Sequence, residues 1–153
     1  MITAAELALI PLFTGLDESA RQRLAQKAAD IRAEGGDWVI REGEDPRFFA
    51  VLEGLLQVVK DIVGQRRELE QLNAGDFFGE IPILLGTSNL VSVQAVSRCR
   101  LARFDRQQLQ ELIRDSSSCG TTIFQTIDGS ALNGAAVCKG HSLLARASGG
   151  VAL

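Results

Sequence analysis

At 153 residues the chain has the length of one ordinary domain, enough to bury a core without metals or disulfides. Its net charge of −3 argues against the clustered basic face that phosphate-backbone binding requires, so no DNA partner is expected. The cysteines, Cys99, Cys119 and Cys138, form no CxxC pair, and no run approaches the roughly 18 apolar residues of a membrane span. Glu6 and Pro11 interrupt the apolar N-terminal residues, which speaks against a signal peptide. A cytoplasmic protein without membrane contact is the expectation.

In chain order, Ala4 to Ile10 reads as a short helix closed by Pro11, followed by the tight link Pro11-Leu12-Phe13. Asp17 is placed to cap a helix over Glu18 to Ala29, with Ala20, Leu24 and Ala28 at helical spacing. The period then changes. Strands are expected at 29–33, 38–41, 47–52, 55–61, 66–72, 89–95 and 98–104, with glycine turns between them. Asp105 caps a closing helix to Arg114, with Leu109, Leu112 and Ile113 inward. The domain is therefore set at 1–115. Residues 116–153 are nearly free of charge and read as a helix start, at most Thr121 to Ile127, followed by a poorly ordered tail. The fold class is α+β: an antiparallel barrel or sandwich flanked by helices.

The informative stretch is Phe78-Gly79-Glu80-Ile81, running into Pro82 to Leu85. Gly79 lets backbone approach a ligand closely without a Cβ, and one helical turn opens directly behind it. Such a start presents free N–H groups, while a carboxylate at Glu80 can accept hydrogen bonds from a diol such as a ribose. Glu80 is read as facing a ligand, the alternative being a surface carboxylate that favours a helix start.

This block resembles the phosphate-binding cassette of the cyclic-nucleotide-binding domain family, F-G-E-[LIV]-A-L-L-x-G-x-P-R-A-A-[ST]-V. Trp38 to Glu44 (WVIREGE), Phe48 to Gly54 (FFAVLEG), Gly75 to Phe78 (GDFF) and Pro11-Leu12-Phe13 occur in the family's order and spacing. The resemblance spans about Leu9 to Asp115. It implies an antiparallel β-roll, jelly-roll-like, with helices at both ends. It also implies a ligand site at Phe78, Gly79, Glu80, Ile81, Pro82, Asn89, Leu90 and Ser92, with cyclic AMP or cyclic GMP as the ligand.

The cassette departs from the pattern at several points. Ser88 and Asn89 replace the proline and the arginine that pairs with the cyclic phosphate, Pro82 replaces an alanine, and Leu90 and Val91 take two small-residue positions. Asparagine donates but carries no charge, and losing a charge-assisted phosphate partner costs about 2–5 kcal/mol. No Lys or Arg lies between Arg67 and Arg98, although Arg41, Lys60, Arg66 and Arg67 lie on other strands. Pro82 reads equally well as an ordinary first-turn proline and as a change of ligand.

The tail histidine His141 is given no role, Cys99 is assigned to the core, and Trp38, Phe48, Phe49, Phe77 and Phe78 are assigned to the barrel core. Arg98 and Arg100 are read as a solvated strand face. No catalytic constellation, metal set or cofactor is visible. The expectation is a non-enzymatic regulatory or sensor module that binds a cyclic nucleotide or related small anion weakly. The alternatives are a ligand-free structural domain or a regulatory fragment of a thioredoxin-reductase-like flavoprotein, whose variant cassette this one resembles. A homodimer or a reductase-like domain would be the protein partner.

Overall fold

The computed structural model describes residues 1–133. The expectations for the rest of the tail, His141 and Cys138 included, lie outside the described residues. A helical N-terminal segment comprises α1 (Ala4–Leu7), a 3-10 turn (Pro11–Phe13) and α2 (Glu18–Lys27). The strands are β1 (Ala29–Ala33), β2 (Trp38–Ile40), β3 (Phe48–Glu53), β4 (Leu56–Ile62), β5 (Gln65–Leu72), β6 (Phe77–Phe78), β7 (Ser92–Ala95) and β8 (Cys99–Phe104). Helix α3 (Glu80–Leu85) interrupts them, and α4 (Arg106–Asp115) and α5 (Ser117–Asn133) follow.

All pairings are antiparallel and make two sheets, β1-β8-β3-β6 and β2-β7-β4-β5. The first sheet is buried on both faces, so β3 lacks a polar alternation. Phe48, Ala50, Ala102 and Phe104 pack toward the helices with Phe13, Leu109 and Ile123. Phe49, Val51, Cys99 and Leu101 face the other way and meet Leu56, Val58, Leu72 and Val93 of the second sheet. Phe78 and Val91 join this interior, whereas Ile83 joins the helix side. Gly54 makes the β3–β4 turn at φ +100, where a Cβ would lie 2.3 Å from the Arg98 carbonyl oxygen.

The caps match the sequence. Asp17 accepts from the Ala20 N–H, and Asp105 forms a reciprocal capping box with Gln108. Four details differ. The α2 stripe is carried by Leu24 and Ala25, while Ala20 and Ala28 are only half-buried. Helix α5 begins at Ser117, well before Thr121, because Cys119 and Ile123 complete the helix-side core. Trp38 is half-buried at the surface, where the Arg41 and Arg66 guanidinium groups lie 5.4 and 4.9 Å from its ring centre. Arg100 is not a free solvated side chain: it is only 18% exposed. It hydrogen-bonds both Asp30, at 3.0 and 3.2 Å, and Glu6, and Asp30 also accepts from the Met1 ammonium at 2.8 Å. These contacts hold the Glu6 and Asp30 carboxyls below their ordinary range and raise the Arg100 guanidinium, hydrogen bonding being the main cause in each. The network ties α1 to the sheet.

Candidate functional site

The cassette runs from β6 through α3 to β7. Its start is pinned by pairing of Phe77 and Phe78 with Ala50 and Phe49 on β3, and the Phe49 and Phe78 rings stack at 5.0 Å. Phe78 is thus fully buried in the core between the sheets, where it holds the cassette in place. Gly79 follows at φ +90, and a Cβ there would lie 2.0 Å from the Arg47 carbonyl oxygen and 3.6 Å from Ile40 Cδ1. Only glycine fits, for both reasons at once. This close backbone approach is made to β3's own lead-in, so Gly79 shapes the site by letting α3 start flush against the roll.

Glu80 opens α3 and is 0% exposed. The surface-carboxylate alternative is therefore corrected. Ile81, Pro82 and Ile83 are buried with it. Pro82 is the third helical residue, where its missing N–H has no intrahelical acceptor to lose, and its carbonyl accepts from the Thr87 N–H at 2.9 Å. Its local role is an ordinary first-turn proline. Gly86 ends the helix in the left-handed conformation.

Asn89 is 5% exposed and holds the β2–β3 loop. Its side-chain amide donates to the Arg41 and Asp45 carbonyls at 3.2 and 3.3 Å, and its backbone exchanges hydrogen bonds with Gly43 and Glu44. Asn89 Oδ1 is buried with no hydrogen-bond partner. Leu90 is half-buried and Val91 buried, and the apolar face of Val91, Val93 and Ala95 points inward as the alternation requires. Ser92 lies on the opposite face of β7 from Val93. Its hydroxyl accepts from the Glu42 N–H at 2.9 Å and borders an outer groove with Trp38, Arg41 and Arg66. The structure thus brings Gly79, Glu80, Ile81 and Pro82 together and sets Ser92 on the outer surface.

Of the cations on other strands, Lys60 reaches the cassette. Its ammonium donates to the Leu90 carbonyl at 2.8 Å and to Glu42 at 3.2 Å. Arg41 and Arg66 are turned to the outer groove around Trp38. Glu70 was not singled out from the sequence, yet it is 8% exposed and pairs with the inward Val58. Its separation by two from the inward Leu72 is the signal that could have found it.

The fold is an antiparallel β-roll that carries a glycine-capped helical turn with a buried carboxylate and is flanked by helices. The chain belongs to the cyclic nucleotide-binding domain family, whose profile matches residues 31–116. It is 31% identical over 114 residues to the cAMP-dependent protein kinase regulatory subunit of Schizosaccharomyces pombe, covering 74% of this chain and 27% of that protein. Against the cGMP-dependent protein kinase egl-4 of Caenorhabditis elegans the identity is 32% over 118 residues, covering 73% and 15%. Among solved structures, a regulatory subunit of a cAMP-independent protein kinase A from Trypanosoma brucei, a triple mutant bound to cAMP, matches with TM-score 0.64 and 30% identity. That match covers 67% of this chain and 39% of the other. The sensor domain of the transcriptional regulator DNR from Pseudomonas aeruginosa shares the fold, with TM-score 0.71 at 23% identity over 81% of this chain and 85% of that one. The chain spans about a quarter of the S. pombe relative. Among the described residues no helix is long and apolar enough to cross a membrane, and no group of three metal-ligating side chains is present.

Proposed function

We propose that this chain is a non-catalytic regulatory module that takes a nucleoside-type ligand, cyclic nucleotides included, at the cassette from Gly79 to Asn89, and that it holds cyclic phosphate weakly. One observation carries the reading. Glu80 is kept and buried, while the residue at the arginine position, Asn89, spends its amide on the Arg41 and Asp45 carbonyls. The diol-binding half of the site is preserved and the phosphate-gripping half is not. A neutral amide already engaged elsewhere cannot replace a guanidinium, whose loss costs about 2–5 kcal/mol. The ribose and base then supply most of the affinity.

The relatives support both halves of this reading. Two are regulatory or cyclic-nucleotide-dependent kinase proteins by name, and the T. brucei protein is described as cAMP-independent while its triple mutant is bound to cAMP. In such a module the ligand acts by binding two states of the closing helices unequally. The larger assembly to which the module belongs is part of the proposal. The Pro82 cassette resembles that found ahead of thioredoxin-reductase-like flavoproteins, and a reductase-like reading frame in the adjoining DNA would support that partner over a homodimer.

Calorimetric titration tests the site. In the unmodified chain, cyclic AMP and cyclic GMP should bind no more than about 3-fold tighter than adenosine and guanosine, because the cation that reaches the cassette, Lys60, is already engaged by the Leu90 carbonyl and Glu42. Asn89→Arg should raise the cyclic nucleotides by about 10- to 100-fold and leave the nucleosides unchanged. Silence with every nucleoside and cyclic nucleotide at millimolar concentration would overturn the reading in favour of a ligand-free structural domain.

A further inference from the structure

Strand β4 turns Leu56, Val58 and Lys60 to one face, as the alternation of a strand requires. Leu56 and Val58 are buried between the sheets, while Lys60, two residues further on, is 30% exposed and stands at the rim of that interior. Its ammonium donates to the Leu90 carbonyl at 2.8 Å and to a Glu42 carboxylate oxygen at 3.2 Å. Leu90 directly follows Asn89, the residue at the arginine position of the cassette. A positive charge is therefore within one residue of that position, and it is shared with a carboxylate of the same chain. Glu42 is held there by backbone contacts rather than by its side chain. Its N–H donates to the Ser92 hydroxyl at 2.9 Å, and the next two residues, Gly43 and Glu44, exchange backbone hydrogen bonds with Asn89 at 2.8 and 2.9 Å. Arg67 on β5 is the cross-strand partner of Lys60 and puts a second cation at the rim. Like charges directly opposite each other destabilise a strand pair, so this end of the sheet favours an anion. Glu42 supplies one from within the fold.

We propose that Glu42 sets the class of ligand at the cassette: by holding the Lys60 ammonium it disfavours a cyclic phosphate against an uncharged nucleoside. The proposal rests on the nucleoside reading above. A lysine ammonium is a compact charge on a flexible stem, able to turn from one oxygen to another. A phosphate that takes this ammonium must displace the Glu42 carboxylate, whereas a nucleoside, with hydroxyls in place of the phosphate, needs no cation. Selectivity then comes from a competitor built into the chain rather than from an added contact to the nucleoside. Lys60 and Glu42 are 30% and 41% exposed, so water screens the pair. The effect is accordingly smaller than that of placing an arginine at position 89.

Titration of the full chain and its variants with cyclic AMP, cyclic GMP, adenosine and guanosine tests this. Glu42→Gln keeps the backbone N–H that meets Ser92 and removes only the charge. It should tighten both cyclic nucleotides by about 3- to 5-fold and leave both nucleosides unchanged. In a Lys60→Met background the same substitution should change cyclic-nucleotide affinity by less than about 1.5-fold, since the two residues act as one coupled pair. Circular dichroism and thermal melting check the fold of each variant, and Glu42→Ala should reproduce the gain of Glu42→Gln. A ratio of cyclic-nucleotide to nucleoside affinity that stays the same in both Glu42 variants would overturn the assignment while leaving nucleoside binding intact. So would a gain that survives the loss of Lys60. Binding of none of the four ligands by the unmodified chain would overturn the nucleoside reading and this assignment with it.

Discussion

At Arg100 and at the cassette the same chain treats a poorly exposed carboxylate in opposite ways. Arg100, 18% exposed, is shared between Glu6 and Asp30, so each carboxylate of that cluster has a guanidinium in contact. In the cassette, Glu80 is fully buried, and the position from which an arginine would reach a ligand holds Asn89, committed to the β2–β3 loop. The first arrangement is closed: its charges are matched within the fold, and it fastens α1 to β1 and β8. The second buries its carboxylate within the fold without a guanidinium at the Asn89 position. Three of the four buried polar residues among those described, Glu70, Glu80 and Asn89, belong to β5 and the cassette. Buried polar groups are costly, and on the proposed reading their concentration here serves a ligand rather than stability.

The largest effect should come from breaking the cassette side at Gly79. Gly79→Ala imposes a Cβ at φ +90 and 2.0 Å from a backbone oxygen, which a flexible side chain cannot relieve. A loss of about 2–4 kcal/mol is expected from left-handed strain together with overpacking. Urea unfolding measures it, and a loss below 1 kcal/mol would show that Gly79 is not needed to seat α3.

Next comes the Arg100 side. Arg100→Met should cost about 1–3 kcal/mol, between the values for exposed and buried ion pairs, because the cluster is partly solvated. The pH dependence gives the sharper test. Glu6 and Asp30 titrate below their ordinary values, chiefly through the Arg100 hydrogen bonds, so each binds a proton less readily when folded. Their contribution to stability is complete above roughly pH 4.5 and is lost as pH falls through the lowered folded values. In Arg100→Met that acid-side decline should flatten. An unchanged slope of stability against pH below 4.5 would remove the pairing from the account.

How much of this was legible in the sequence follows from where the local rules hold. Asp17, Asp105 and the glycines between strands announce helix starts and turns by side-chain chemistry, so the order of elements could be read directly. The inward Val91, Val93 and Ala95 were legible from their alternation, whereas Gly79, read as admitting a ligand, admits the Arg47 carbonyl. Glu70 was not legible, because β5 is charged from Arg66 to Glu68 and only the spacing of two from the inward Leu72 marks Glu70 as inward. Arg100 was misread as solvated because its partners lie 94 and 70 residues away on α1 and β1. Trp38 was assigned to the core by its type, but the outward-facing Arg41 and Arg66 hold it at the surface. Side-chain direction across sheets depends on register, which one strand alone does not reveal.

The smallest effect belongs to a site remote from both regions, and it serves as their control. Val63 and Gly64 form the two-residue turn between Ile62 and Gln65, with φ +52 and +75. Two consecutive left-handed residues are the mark of the turn that suits the twist of a hairpin, and asparagine followed by glycine satisfies it best. A β-branched residue there is strained by its own Cβ, and Val63, 96% exposed, has little packing to offset the strain. Val63→Asn should therefore stabilise the chain by about 0.5–1 kcal/mol. Because the turn joins β4 to β5, it also fixes the register that sets Glu70 opposite Val58. The variant should raise the thermal midpoint by a few degrees, roughly as such an increment shifts a domain of this size, with ligand affinity at the cassette unchanged. A thermal midpoint unchanged or lowered would show that Val63 is not strained in this turn.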